Sequence, residues 1–296
     1  MIVVFDAIQA MFFTMTGLDA QLIAEFVENG VVVIPSVIDR DEIRETLKEL
    51  SNFLIVSGCD PCDLSRTAGA LSKLSSTNGA GGILDVFYED WKLRLNEHPR
   101  IVSSIQDLWL HTYAQFSPDD GEDATFGHPF GSFDPAAGYM YIDRVCYRVP
   151  SDVSSQFGPT KKKQLQRSLT PHLDCCPHDI YGKGSKWRPI QAFLCLTDTL
   201  LPDHGGFEAC PGHHLHFAEW AEKRSVGAAR PGGEAPAASP PCVGDFTPIR
   251  PIEDKDVLEK FRHIACKAGD LVCWVCIRSL LYSLFSPFLK SSLLIS

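Results

Sequence analysis

Apolar and polar positions along the 296-residue chain change their rhythm partway through. Near the front they repeat at helical spacing. Leu22, Ile23 and Phe26 share one face of a helix predicted over 19–29, and Gly30 is its stop. Val31 to Ile34 is a β-branched run closed by Pro35, the pattern of a buried strand. Asp39, with Glu42 three positions on, predicts a capping box, and Ile43, Leu47, Leu50 and Leu54 recur behind it as the buried stripe of a second helix. The Gly/Ser-rich stretch from Ser57 to Gly82 reads as a mobile surface loop. Two more amphipathic segments follow, over 83–95 and 99–116, each with a tryptophan.

After Pro118 the pattern becomes that of short strands. An acidic, turn-rich patch at 119–123 reads as a solvated loop. Strands are predicted over Tyr139–Ile142, Val145–Tyr147, Ile190–Leu196 and Asp270–Trp274, with a long Pro/Gly-rich connection from Arg230 to Pro251. Helices first and separated strands afterwards define an α+β chain, its helices packed on a β-sandwich or barrel. No internal repeat is present.

Composition narrows the field. Apolar residues make up 45% and charged residues 22% of the chain, enough for a sizeable core, which excludes disordered, collagen-like and coiled-coil classes. Lys and Arg total 27 against 37 Asp and Glu, a net charge of -10 that repels phosphate backbones and anionic lipid. Nucleic acid is therefore excluded as the main partner; small substrates and protein partners stay open. The eleven cysteines are odd in number, and several sit in apolar runs such as Ala192–Leu196, which points to buried thiols in a reducing, intracellular and cytoplasmic setting. Cys59-x-x-Cys62 and Cys273-x-x-Cys276 have zinc-site spacing, but no further Cys or His clusters beside either pair. Met1 to Met15 is broken by Asp6 and Gln9 and lacks a cationic start, so no secretory signal is expected. The apolar stretch after Leu271 is broken by Arg278, Pro287 and Lys290, so no membrane span is expected there. Neither a phosphate-cradling Gly loop nor a Gly-x-Ser-x-Gly elbow occurs.

The chemistry concentrates in Thr170-Pro171-His172-Leu173-Asp174. Residues i and i+2 of a strand face the same way, about 7 Å apart along the backbone, so His172 and Asp174 aim an imidazole and a carboxylate at one point while Leu173 turns into packing. Such a pair is a poor acid–base dyad but a good pair of metal ligands. One further His would complete the facial triad of non-haem iron oxygenases. Farther on come Leu196-Thr197-Asp198, Gly205-Gly206-Phe207, Pro211-Gly212-His213-His214 and Gly269-Asp270 entering a late strand. With the front segment Phe26–Pro35, this ordered set resembles the phytanoyl-CoA dioxygenase (PhyH-like) family over about residues 20 to 275.

That resemblance implies a double-stranded β-helix, a jelly-roll or cupin-like barrel with N-terminal helices packed on it. It implies Fe(II) and 2-oxoglutarate as cofactors, O₂ as co-substrate, and hydroxylation of a small-molecule substrate. His172 and Asp174 take the catalytic metal-ligand roles. Tyr141, Arg144 and Gln191 fall where family members line the co-substrate pocket. The expected division is an extension over 1–18, the dioxygenase domain over 19–275 with loops at 57–82 and 223–256, and an atypical apolar tail over 276–296. The tail is also the departure. The family's distal His and its 2-oxoglutarate-binding Arg follow the Gly-Asp strand, yet no His occurs after His263, and Arg278 comes too early. The barrel is thus expected to be incomplete at its C-terminal end, with His263 the remaining candidate ligand. The alternative is a non-catalytic jelly-roll that binds or interacts.

Overall fold

Helix α1 (Ala20–Asn29) starts where the Asp19 carboxylate accepts a bond from the Gln21 amide and stops at Gly30, which takes φ 67°. In the computed structural model the described residues are 17–115, 134–138, 141–158, 164–174, 190–217, 219–221, 247–275 and 293–295. Strand β1 (Val31–Ile34) follows directly, and helix α2 (Arg40–Val56) carries the expected capping box. The Asp39 carboxylate accepts from the Asp41 and Glu42 amides, and the Glu42 carboxylate accepts from the Asp39 amide. Ile43, Leu50 and Leu54 form its buried stripe, with Leu47 packed beside them.

The stretch expected as a loop over 57–82 is folded. It holds α3 (Leu64–Thr67) and tight helical turns at Ala68–Leu74 and Ala80–Gly82, and Ala68 and Leu71 are fully buried. Then come β2 (Ile83–Leu84), α4 (Asp90–Asn96) and α5 (Pro99–Leu110), whose leading proline supplies a helical φ where no amide donor is needed.

The second half contributes β3 (Val145–Tyr147), α6 (Ser151–Gln156), β4 (His172–Leu173), β5 (Ile190–Cys195), β6 (Phe207–Ala209), β7 (Thr247–Pro248), α7 (Lys255–Leu258), β8 (Arg262–Ile264), β9 (Leu271–Val275) and β10 (Leu293–Ile295). Of the strand predicted at 139–142, residues 141–142 are not extended into a ladder, and 139–140 lie outside the described residues. The acidic patch at 119–123 and Arg278 lie outside them too.

Six strands make one antiparallel sheet in the order β1-β9-β5-β10-β3-β2, and β4-β7 and β6-β8 form two small sheets. The central strands are buried on both faces, which is why they read as unbroken apolar runs. Val32, Ile34, Leu194, Leu271, Cys273 and Val275 face the helices and join the main core. Val31, Phe193, Cys195, Val272 and Trp274 face the opposite way and pack with Phe207 and Ala209 of β6. Phe193, Phe207 and Trp274 form a ring cluster with centroids 4.8–5.4 Å apart, each pair contributing about 0.5–1.5 kcal/mol beyond its buried area.

The α+β class stands. The small sheets do not close into a barrel among the described residues. The tail differs from expectation: β10 sits inside the main sheet, Leu293–Ile295 against Tyr147–Val145 on one side and Leu294–Ile295 against Cys195–Leu194 on the other. Among the described residues no helix is long and apolar enough to cross a membrane.

Candidate functional site

Strand β4 is two residues long and pairs with β7, His172 opposite Pro248 and Leu173 opposite Thr247, while the Ile249 amide donates to the Pro171 carbonyl at 2.8 Å. Leu173 is fully buried in the main core, which fixes the strand's rotation and turns His172 and Asp174 to the other side. Their side chains meet there: His172 Nε2 lies 3.2 Å from Asp174 Oδ1. The opposite ring nitrogen, Nδ1, lies 2.7 Å from the Thr170 carbonyl oxygen. A carbonyl only accepts, so Nδ1 carries the hydrogen and donates it.

That backbone bond sets the neutral tautomer, so Nε2 is the nitrogen that donates to Asp174 when the ring is protonated and offers its lone pair to a metal when it is not. Burial, the largest influence on the imidazole, disfavours its charge; the Asp174 bond and charge, with the Thr170 carbonyl, outweigh it and raise the pKa. The His172 side chain is 8% exposed and that of Asp174 40%, so the pair is anchored inside and opens outward at the carboxylate.

A divalent metal fits this pair. Two ligands each about 2.1 Å from one ion and at right angles to it are about 3 Å apart, close to the observed 3.2 Å. Among the described residues no third His, Cys, Asp or Glu joins them to make a set of three. His263, on β8, has its Nε2 2.8 Å from the Thr199 carbonyl and pairs across the ladder with Glu208.

Two of the expected pocket residues hold bonds within the fold. Tyr141 is exposed just before β3. Arg144 Nε donates to Asp143 at 3.2 Å, and its Nη1 lies 3.9 Å from Asp85. Gln191 Oε1 accepts a 3.0 Å bond from the Trp274 indole, so its carbonyl end serves the β5–β9 pair. His213 and His214 are buried: His214 Nε2 lies 2.8 Å from the Val27 carbonyl, and the His213 ring meets Trp220 edge-on at 5.6 Å. Sequence reasoning missed Thr170 as the group that orients His172. It acts through its carbonyl, so no side-chain type marks it.

No protein-family model matches the chain, and no curated protein matches it by sequence. Solved structures do. The chain is similar to GlcNAc Inducible Gene 2, GIG2 (DUF1479), from Candida albicans, at 16% identity and a TM-score of 0.62 over 96% of this chain and 64% of that one. It is similar to the hypothetical protein JW0805 from Escherichia coli at 13% identity and a TM-score of 0.60, over 94% of this chain and 67% of that one. A weaker similarity, with a TM-score of 0.49 and 14% identity over 94% of this chain and 81% of that one, is to the non-heme alpha ketoglutarate dependent carbocyclase SnoK from nogalamycin biosynthesis. The first two show a shared fold. This chain spans about two thirds of their lengths.

Proposed function

We propose that this chain is an oxygenase of the Fe(II)/2-oxoglutarate class on a PhyH-like double-stranded β-helix, in which His172 and Asp174 hold the metal. The 3.2 Å approach of Nε2 to Oδ1, with Nδ1 fixed on the Thr170 carbonyl, carries this reading. An iron held there supplies, with 2-oxoglutarate and O₂, oxidative hydroxylation of a C–H bond in a small molecule. The residues of this chain contribute position. Thr170 keeps the imidazole in the ligating tautomer, Leu173 fixes the strand's rotation, and Asp174, its side chain 40% exposed, supplies the carboxylate. Tyr141 and Arg144, on the approach to β3, and the free amide end of Gln191 are the candidate contacts for 2-oxoglutarate. The free thiols of Cys59, Cys62, Cys146, Cys195, Cys210, Cys266 and Cys273 suit a reducing, cytoplasmic setting.

A second reading, a non-catalytic jelly-roll that binds without turnover, is favoured by the set of only two ligands among the described residues and by the apolar sequence of β10, Leu293–Ile295. Anaerobic titration with Fe(II), followed by succinate release from 2-oxoglutarate under O₂, separates the two. The enzymatic reading expects one bound metal per chain, lost in His172→Ala and Asp174→Ala, and succinate above the metal-free control. Metal binding without succinate supports the second reading, and no metal at all defeats the first.

A further inference from the structure

The end of β5 and the turn before β9 bring two thiols into contact. Cys195 Sγ lies 3.0 Å from Cys266 Sγ, and the Thr199 hydroxyl lies 2.9 Å from the same Cys266 sulfur. The two cysteines are not ladder partners. The Cys195 amide donates to the Asp270 carbonyl and its carbonyl accepts from the Gly269 amide, whereas Cys266 faces Thr199 in an isolated bridge. Gly269, at φ 94°, turns the chain between these two pairings, and Asp198 Oδ1 holds the Ala268 amide at 2.8 Å. The backbone therefore fixes both sulfurs from separate directions. Both residues are buried, Cys195 fully and Cys266 at 2% exposure, on the face of the sheet shared with Phe193, Phe207 and Trp274.

We infer that Cys195 and Cys266 are a redox modification site, a dithiol that closes to an intramolecular disulfide when the protein meets hydrogen peroxide. The contact must shorten only from 3.0 Å to about 2.05 Å. The two thiols differ in character, as such chemistry requires. The bond from Cys195, opposed by burial and helped by Thr199, holds the Cys266 thiol below its usual pKa. Burial pushes Cys195 well above it, and burial raises Cys59, Cys146, Cys210 and Cys273 as well. Cys266 is thus the attacking sulfur and Cys195 the resolving one. The Cys266 thiolate takes one peroxide oxygen, the O–O bond breaks, and a sulfenic acid and water result. Cys195 then attacks that sulfur, losing its proton as the S–O bond breaks and a second water leaves. Both thiols are oxidised by one electron each, and one peroxide is reduced to two waters.

The test is peptide mapping of the native protein after peroxide treatment, acid quench, denaturation and alkylation. The expected product is a crosslinked peptide containing Cys195 and Cys266, about 2 Da lighter than its two thiol halves and dissolved by a thiol reductant. Cys266 recovered as sulfinic acid beside a free Cys195, either cysteine crosslinked elsewhere, or both left as thiols under conditions that oxidise the exposed Cys62 would overturn the inference. In Cys195→Ser, provided its thermal melt matches wild type, Cys266 stops at the sulfenic acid and is trapped by dimedone added together with the denaturant. No adduct there would overturn the assignment of Cys266 as the attacking sulfur. The wild-type map needs no variant, and it is independent of the metal reading.

Discussion

The Asp270 carboxylate ties the Gly-Asp turn to the end of β1: its Oδ1 accepts a 3.0 Å bond from the Ser36 amide, and its Oδ2 a 2.8 Å bond from the Lys267 amide. Ser36 holds φ 53°, unusual for a residue with a side chain, and Asp270 is buried. One carboxylate thus serves two amide donors across a strained corner. Asp270→Asn presents an NH₂ group to one of those donors, and Asp270→Ala leaves both unbonded. Urea unfolding is expected to show losses of about 1–3 kcal/mol for Asn and more for Ala.

Gly30 is held to glycine twice. Its φ of 67° already costs any other residue about 1–2 kcal/mol, and a Cβ there would stand 2.6 Å from His214 Nδ1. Gly30→Ala is expected to lower the thermal midpoint by several degrees. A Gly30→Ala, His214→Ala pair should recover the steric part and keep the backbone part. A double-mutant cycle on thermal melts measures this, and additive losses would remove His214 from the account.

Lys92, on α4, is fully buried and its Nζ finds no hydrogen-bond partner. Burial pulls its pKa down to about 8, with the Asp143 charge opposing. Between pH 8 and about 10.4 the unfolded chain then holds more protons at this residue than the fold does, so stability is expected to rise with pH across that window. Lys92→Met removes the buried ammonium at similar volume. It should stabilise the protein by about 1–3 kcal/mol near pH 7 and flatten the pH slope above 8. An unchanged slope would place the titration elsewhere.

Gln191 separates a structural role from a binding one. Gln191→Leu leaves the indole N–H of the buried Trp274 unsatisfied, an expected loss of about 1–3 kcal/mol in stability. Gln191→Glu keeps an acceptor for the indole but replaces the amide donor with charge. Weaker 2-oxoglutarate binding in the Glu variant, at near-wild-type stability, would mark the donor end as a ligand contact; equal binding would confine Gln191 to the sheet.

Local signals survived folding intact. The Asp39–Glu42 box, the Gly30 stop and the β-branched β1 each act within a few residues, so their sequence patterns carry them. The closeness of His172 and Asp174 is local too, since they stand two positions apart at the end of β4. The segment 57–82 was not, because it is built from residues too small to show a periodicity. Gly81 packs so closely that a Cβ would meet Leu169 at 2.4 Å, and Ala68 and Ala80 are buried. The Gln191–Trp274 and Cys195–Cys266 contacts were hidden as well, since each needs the antiparallel register of β5 and β9 before its partners exist. The place of β10 likewise depends on two strands far away in sequence.

The neighbourhood of β1 and β9 has a kinetic consequence. Val31–Ile34 is synthesised about 240 residues before its partner Leu271–Val275. Until then this apolar strand of the nascent polypeptide stays unzipped. Its productive closure must outrun self-association, a race that slow, non-local topologies lose without chaperone shelter.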